Sequence, residues 1–220
     1  MEDRRQVLCD YFNVEPTTID MLLGLPHGPD RFEKCKVVGV EPHILRTMLE
    51  YSRYFEAEKV LGCLMQQHIA ILGLRVLDFG CLVADYGLFF ARQNAIVSLY
   101  DFSDYLKFAT YRFSHESHAV RTFPVPTDFS AMFPGIDLAI FGEVLEHLPN
   151  PVEPLQACVD HGVQYIFTSC YPFGNDAYFR HPGHCKSAQD LQPRCIELLN
   201  RHYAGTNTHK NAWFWMRRTA

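Results

Sequence analysis

The sequence predicts an α/β fold with a mainly parallel sheet, preceded by a helical segment. Of its 220 residues, 48% are apolar and 20% charged, which suffices for one domain with a full core. The first seventy or so positions show helical periodicity broken by Pro and Gly. From Leu74 onward, short β-rich runs alternate with helical stretches, as crossover-connected parallel strands require. We therefore divide the chain into an N-terminal helical cap, residues 1–72, and an α/β core, residues 73–220.

Within the helical cap, proline and glycine mark the ends of the first predicted helix. Residues 16–23 predict a short helix that begins at Pro16 and ends at Gly24. Residues 41–71 predict one long helix or two abutting helices, with the intervening loop at 24–29.

The core predicts a regular succession of elements. They are strand 74–79, helix 86–93, strand 95–100, helix 103–112, strand 119–124, strand 136–142, helix 151–161, strand 163–169, helix 187–202 and strand 211–217. The last strand has no helix after it.

The charge, apolar content and cysteines of the chain indicate which classes of binding partner and which location to expect. A formal net charge of -5 argues against a broad phosphate-binding surface, so nucleic acid is not expected as a partner. No apolar run approaches the roughly 20 residues of a membrane helix. The eight cysteines form no Cys-x-x-Cys pair and no secretory leader is apparent, which predicts reduced thiols in a soluble cytoplasmic protein.

Two segments predict a site for a nucleoside-bearing cofactor. Residues 75–91 combine a buried strand, a tight turn at Gly80 and the start of a helix. A glycine there lets the backbone approach a ligand closely. The second strand ends at Asp101, where a carboxylate can accept hydrogen bonds from two ribose hydroxyls, as in dinucleotide-binding folds.

Downstream segments supply a family resemblance. Residues 136–151, IDLAIFGEVLEHLPNP, closely resemble the fourth-strand motif of small-molecule O-, N- and C-methyltransferases, and residues 163–169 match the fifth strand. From Leu74 to the end, the chain resembles the class I S-adenosylmethionine (SAM) methyltransferases. The resemblance implies a Rossmann-like sheet of seven mostly parallel strands with an antiparallel C-terminal strand, and methyl transfer from SAM to an O, N or C atom of a small molecule. A Rossmann dehydrogenase fits less well, because the loop lacks that family's later glycines.

The resemblance assigns cofactor roles to nine residues. Gly80 and the Cys81 backbone would lie under the methionine part of SAM, and Phe141 with Gly142 beneath its sulfonium. The other assignments are Asp78 in the loop, Asp101 at the ribose, Phe102 beside the adenine, Asp128 at the adenine amino group and Phe129 against its ring.

The glycine loop departs from the family pattern. Acidic-x-Gly-x-Gly-x-Gly is matched here by Asp78, Gly80, Leu82 and Ala84, so only the first glycine is present. We expect the loop to bind SAM nevertheless, with the Leu82 side chain turned away from the cofactor and a negative φ at Ala84. The same two residues support a second hypothesis, a noncatalytic methyltransferase-like binding or regulatory protein.

The acceptor side offers candidate bases and, conditionally, metal ligands. His147 and His184 are candidate general bases, and Tyr171 is a candidate for orienting the acceptor. Arg53 is a candidate partner for the SAM carboxylate. Acceptor specificity is expected in the helical cap and in the long connection 170–188.

Glu143, Glu146 and His147, at i, i+3 and i+4, would share one side of a helical turn. With His181 or His184 they could hold a divalent cation, as in metal-dependent small-RNA 2′-O-methyltransferases, which gives a third hypothesis. Glu-His-Leu-Pro is also frequent in metal-independent methyltransferases, so the sequence favours a site without a metal. The net negative charge of the chain makes the RNA hypothesis the last of the three.

Overall fold

A computed structural model describes residues 3–26, 28–50, 53–172, 183–209 and 211–219. Within them, seven strands form one sheet: β1 (Arg75–Phe79), β2 (Ile96–Asp101), β3 (Arg121–Pro124), β4 (Leu138–Gly142), β5 (Tyr165–Ser169), β6 (Tyr203–His209) and β7 (Ala212–Arg217). Their spatial order is β3-β2-β1-β4-β5-β7-β6. The first five strands pair in parallel, and β7 runs antiparallel to both β5 and β6. The predicted fold class is confirmed.

The described helices are α1 (Arg4–Phe12), α2 (Pro16–Gly24), α3 (Pro29–Val37), α4 (Pro42–Leu49), α5 (Tyr54–Gln66), α6 (Asp85–Ala91), α7 (Ser103–His115), α8 (Phe129–Met132), α9 (Val152–Asp160) and α10 (Lys186–His202). The short helix opened by Pro16 is confirmed as α2. The pattern over 41–71 resolves into two helices, α4 and α5, which was one of the two alternatives. Strand β6 was not among the elements predicted from periodicity, and it supplies the seventh strand that the resemblance implied.

Apolar side chains cover both faces of the sheet. One face carries α5, α6 and α7, whose buried residues pack on strand residues such as Val76 and Leu138. The opposite face carries α8, α9 and α10, packed on residues such as Leu77 and Phe141. A third group, which we call the cap cluster, joins buried residues of α1–α4 to Val83 and Phe108 of the core. Residues 1–72 therefore contact the core through two separate apolar surfaces.

The strand order places a crevice at the centre of the sheet. After β1 the chain moves outward through β2 and β3, and it then returns to β4 on the other side of β1. The loops that follow β1 and β4 consequently diverge. In open α/β sheets, ligands bind at this switch point, outside the carboxyl ends of the strands.

Candidate functional site

A cavity of about 320 Å³ lies at this switch point. That volume is at the lower end of the roughly 300–1,000 Å³ typical of small-molecule sites. Of the predicted site residues, the lining contains Arg53, Gly80, Cys81, Leu82, Asp101, Gly142, Glu143 and His147. It also contains residues that the sequence did not single out, notably His43 and Thr47 of α4, Tyr86 of α6 and Tyr105 of α7. These come from helices whose approach to the sheet is set by tertiary packing, so no local motif marks them.

The loop after β1 keeps a left-handed backbone although two glycines are missing. Residues 80, 82 and 84 have φ values of 70°, 47° and 57°. The expected negative φ at Ala84 is therefore wrong. An L-residue in this conformation costs roughly 1–2 kcal/mol. The strain is held by main-chain bonds, since the Gly80 and Cys81 amides both donate to the Tyr100 carbonyl, at 2.8 and 3.2 Å.

Two glycines at the cavity are required by close packing. An ideal Cβ at Gly80 would lie 2.2 Å from Cγ2 of Val144, and one at Gly142 would lie 2.3 Å from the Tyr86 ring. Both contacts are far inside van der Waals distance, so neither position accepts a side chain. Leu82 packs against the cap cluster while also lining the cavity.

Asp101 fastens the loop and also faces the cavity. Its Oδ2 accepts a hydrogen bond from the Leu82 amide at 2.7 Å, and its Oδ1 accepts one from the Phe102 amide at 2.7 Å. Burial raises the pKa of Asp101, and the two amides partly offset that rise. Because a carboxylate has about four acceptor sites, two amides leave capacity for further donors from the cavity.

Phe102 leaves an aromatic face uncovered next to Asp101. Its side chain is 61% exposed, and its ring meets Tyr105 edge-on at 6.5 Å. An exposed ring of this kind can stack on a planar ligand.

Two predicted cofactor residues support the site from within the core. Asp78 is 1% exposed, and its Oδ2 accepts the Gly87 amide at 2.9 Å, which ties β1 to α6. Burial raises the pKa of Asp78 to about 8. Phe141 is fully buried and packs on Phe79, with ring centroids 5.1 Å apart. Neither residue lines the cavity.

Asp128 and Phe129 also lie outside the cavity lining. Asp128 is exposed and begins α8 by accepting the Ser130 amide at 2.9 Å, a bond that lowers the pKa of its carboxyl. The Phe129 ring contacts Phe79 and Tyr100. In this structure both residues brace the segment after β3.

A charged network occupies the end of the cavity near β4. Arg53 forms an ion pair with Glu143 and lies 3.6 Å from Glu56, which accepts the Tyr86 hydroxyl. Burial by itself would raise the pKa of Glu143, but the Arg53 guanidinium outweighs burial and lowers it. Glu143 is therefore a carboxylate at neutral pH, and Arg53 places a cation at the cavity.

Glu146, His147 and His184 converge beside this network. One donor atom from each lies within 4.8 Å of the others. The Nδ1 of His147 donates to the Gly183 carbonyl at 2.7 Å, which leaves the lone pair of the neutral ring on Nε2. The rings of His147 and His184 are 4.9 Å apart and nearly perpendicular.

Glu143 does not share a face with Glu146 and His147, contrary to the prediction. Only Leu145–His147 is helical, as a single 3-10 turn, and Glu143 precedes it with a left-handed φ of 51°. His181, the other histidine considered as a ligand, lies outside the described residues, as do residues 173–182 of the connection after β5.

The structure does not support Tyr171 as a residue that orients the acceptor. Its side chain is fully buried, and its hydroxyl donates to the Ala188 carbonyl at 2.9 Å. Tyr171 thus attaches the start of α10 to the end of β5.

Comparison with known proteins identifies the fold. No family model and no curated protein matches the chain. Among solved structures, it is similar to magnesium protoporphyrin IX methyltransferase (ChlM) from Synechocystis PCC 6803 with bound SAM, at 15% identity and a TM-score of 0.57 over 99% of both chains. The chain has the class I methyltransferase fold.

A methyltransferase fold is also found in two further similar structures. A putative O-methyltransferase from Nostoc punctiforme PCC 73102 has 14% identity and a TM-score of 0.52 over 96% of this chain and 69% of that one. The SAM-dependent methyltransferase SibL in its apo form has 16% identity and a TM-score of 0.51 over 91% and 62%. The likeness to ChlM includes the helices before β1, which the sequence resemblance did not cover. Among the described residues of this methyltransferase fold, no helix combines the length and apolar character needed to cross a membrane.

Proposed function

We propose that the chain is a SAM-dependent methyltransferase that acts on an O, N or C atom of a small molecule. The observation that carries the proposal is the cavity between the ends of β1 and β4, with a left-handed loop on one side and the Asp101 carboxylate on another. The similar structure of magnesium protoporphyrin IX methyltransferase (ChlM), which contains bound SAM, has the same fold.

The residues around the cavity match the parts of the cofactor. Asp101 has acceptor capacity for ribose hydroxyls, and the exposed Phe102 ring can stack on adenine. The backbone of Gly80 and Cys81 would contact the methionine part, and Arg53 would pair with its carboxylate. When bound, SAM supplies a methyl group already activated by a sulfonium, so the protein has to align the acceptor and remove a proton.

His147 is the proposed base. It lines the cavity, and its Nδ1 is committed to the Gly183 carbonyl, so Nε2 can accept the proton of an acceptor hydroxyl or amine. His184 lies against the same ring and would assist its orientation.

All eight cysteines are thiols within the described residues, which supports a reducing, cytoplasmic location.

Calorimetric titration with S-adenosylhomocysteine tests cofactor binding. We expect saturable binding, with the unfolding free energy raised by about 2.7 kcal/mol at a ligand concentration 100 times Kd. Phe102→Ala should weaken binding about 5- to 100-fold through lost stacking. Phe55→Ala is the matched control, because Phe55 is 52% exposed and its ring contacts Lys59 and His209, whereas the Phe102 ring contacts Tyr105 of the cavity lining. Absence of binding at millimolar ligand would overturn the proposal.

The noncatalytic alternative makes a different prediction for the loop. Leu82→Gly combined with Ala84→Gly should leave a working loop with unchanged or lower affinity, because residues 82 and 84 already have the left-handed backbone. A clear gain in affinity would instead indicate a pocket that decayed when its glycines were lost, and would favour a binding or regulatory protein.

A further inference from the structure

We infer that Glu146, His147 and His184 form a site for a divalent transition-metal cation at the edge of the cavity. One donor atom from each residue lies within 4.8 Å of the other two. In a tetrahedral site, ligand atoms at about 2.1 Å from the ion lie about 3.4 Å apart, so the three side chains would close by up to about 1.4 Å when the ion binds. The sequence alone favoured a metal-free site, and the convergence of a buried carboxylate with two imidazoles is what changes that interpretation.

The chemistry of the donors selects the type of metal. Two imidazoles and one carboxylate suit Mn²⁺, Fe²⁺, Co²⁺ or Zn²⁺, whereas Ca²⁺ and Mg²⁺ prefer oxygen ligands throughout. Glu146 is 1% exposed, so its carboxylate lies within the fold, against two rings that can share a cation. Glu143 is not part of the site, because Arg53 holds its carboxylate.

Main-chain bonds hold the donors in place before any ion arrives. The Gly183 carbonyl accepts Nδ1–H of His147 at 2.7 Å, which directs Nε2 to the ion as carbonyl partners of metal-bound histidines commonly do. The Cys185 amide donates to the Glu146 carbonyl at 2.8 Å, and the Cys185 thiol to the His147 carbonyl at 3.1 Å. Residues 183–185 and the turn at 145–147 therefore form one connected unit.

The position of the site indicates what the acceptor must carry. His147 belongs both to the donor group and to the cavity lining, so an ion bound there would border the space for the acceptor. An Nε2 atom that binds the ion cannot also accept a proton, so the base role proposed for His147 applies to the protein without the ion. Three protein ligands leave open positions for other donors. Together with the proposed function, on which this step rests, the site fits an acceptor that offers an oxygen donor close to the atom that is methylated. Cation binding itself does not depend on the proposed function.

Titration of the 220-residue chain with Mn²⁺ alone, followed by the electron paramagnetic resonance signal of free Mn²⁺, tests the site. Mn²⁺ is chosen because it favours nitrogen and oxygen donors over the eight thiols. We expect one bound ion per chain. Glu146→Gln and His184→Ala should each weaken binding at least about 10- to 100-fold. His161→Ala should bind like the wild type, because His161 is an exposed histidine at the end of α9 and outside the donor group.

Circular dichroism of each variant separates loss of a ligand from loss of the fold. Glu146 is buried, so its substitution can disturb folding, whereas His184 is only half-buried and gives the second, independent measurement. The inference is overturned if the wild type binds no Mn²⁺ at millimolar concentration, or if folded His184→Ala binds as tightly as the wild type. Titration with S-adenosylhomocysteine in the absence of metal tests the proposed function separately, so either conclusion can fail alone.

Discussion

Two single residues in this protein are held in unfavourable states, one in its backbone conformation and one in the burial of its carboxyl group. Ala84 holds a left-handed φ of 57° in a fully buried position, and Asp78 holds a carboxyl group inside the core. Asp78 lies in β1 and Ala84 in the loop that follows it, next to the cavity, and strain is commonly retained near functional sites. Each cost can be measured by substitution.

At position 84, a glycine should be tolerated and a β-branched residue should not. Ala84→Gly removes about 1–2 kcal/mol of strain but loses roughly 0.8 kcal/mol of methyl burial and up to about 1 kcal/mol of chain entropy. We expect its stability to remain within about 1 kcal/mol of the wild type. Ala84→Val should lose more than about 2 kcal/mol, because β-branched side chains fit a positive φ poorly and the site is closed. Urea denaturation of both variants checks this, and equal losses would contradict it.

Asp78 predicts a pH dependence of stability. Its pKa of about 8 in the folded state lies above the unfolded value near 3.9, so the folded state binds the proton more tightly. This contribution is fully present below about pH 4 and is lost as pH rises towards 8. The slope approaches about 1.4 kcal/mol per pH unit.

Asp78→Asn isolates this contribution, because asparagine does not titrate and can still accept the Gly87 amide. We expect the stability of the variant relative to the wild type to rise steadily between pH 5 and 8 in urea denaturation. A difference that is constant across that range would mean that Asp78 does not titrate there.

At the scale of elements, a buried carboxylate links three helices. Asp85, in the first turn of α6, forms ion pairs with Arg4 of α1 and, at 3.0 Å, with Arg112 of α7. It also accepts the Arg53 amide at 3.0 Å. The Arg112 side chain is fully buried and donates to the Val83 carbonyl as well. The start of α6, and with it the cavity loop, is thus positioned by helices from both sides of the residue-72 boundary.

Arg112→Leu should destabilise the protein by about 3 kcal/mol or more, because it leaves a buried carboxylate with less compensation and the Val83 carbonyl without this donor. Arg201→Leu is the control, since Arg201 pairs with Glu197 on the surface with both side chains about two-thirds exposed. Its loss should stay below about 1 kcal/mol. Similar losses in chemical denaturation would show that the Asp85 pair is not a structural link.

Apolar periodicity and the positions of proline and glycine predicted most helices and strands, because these signals are local in the sequence. Strands β1, β2, β4 and β5 are short apolar runs, and proline marks the start of α2. Strand β6 was missed because its residues are mostly exposed and polar at the sheet edge, without an alternating apolar face. Among the described strands, its one pairing partner is β7.

The site was predictable where a residue ends a strand, as for Asp101 and Gly142, or directly follows one, as for Gly80. Roles that depend on where a side chain turns were not predictable, because they are decided by tertiary packing. Tyr171 turned into the core, and Glu143 turned to Arg53.

At the scale of the whole molecule, the residue-72 boundary separates two sequence patterns but not two independently packed bodies. Helix α5 contributes Ala57, Val60 and Leu64 to the apolar face of the sheet. The cap cluster in turn includes Val83 and Phe108 from beyond the boundary. Each part therefore completes the core of the other.

This interdependence predicts the behaviour of fragments. A chain consisting of residues 73–220 would expose the apolar surfaces that α1–α5 cover, and would leave Asp85 without Arg4. We expect it to aggregate or to lack fixed tertiary structure, seen as a lost near-ultraviolet circular dichroism signal and a broadened profile in size-exclusion chromatography. The 220-residue chain should unfold in one cooperative transition with the same midpoint by two probes. Tryptophan fluorescence reports on Trp213 and Trp215 of β7, and far-ultraviolet circular dichroism includes the cap helices. Two separated transitions, or a well-folded fragment 73–220 that still binds S-adenosylhomocysteine, would show that the helical cap is an independent domain and that the cavity does not need it.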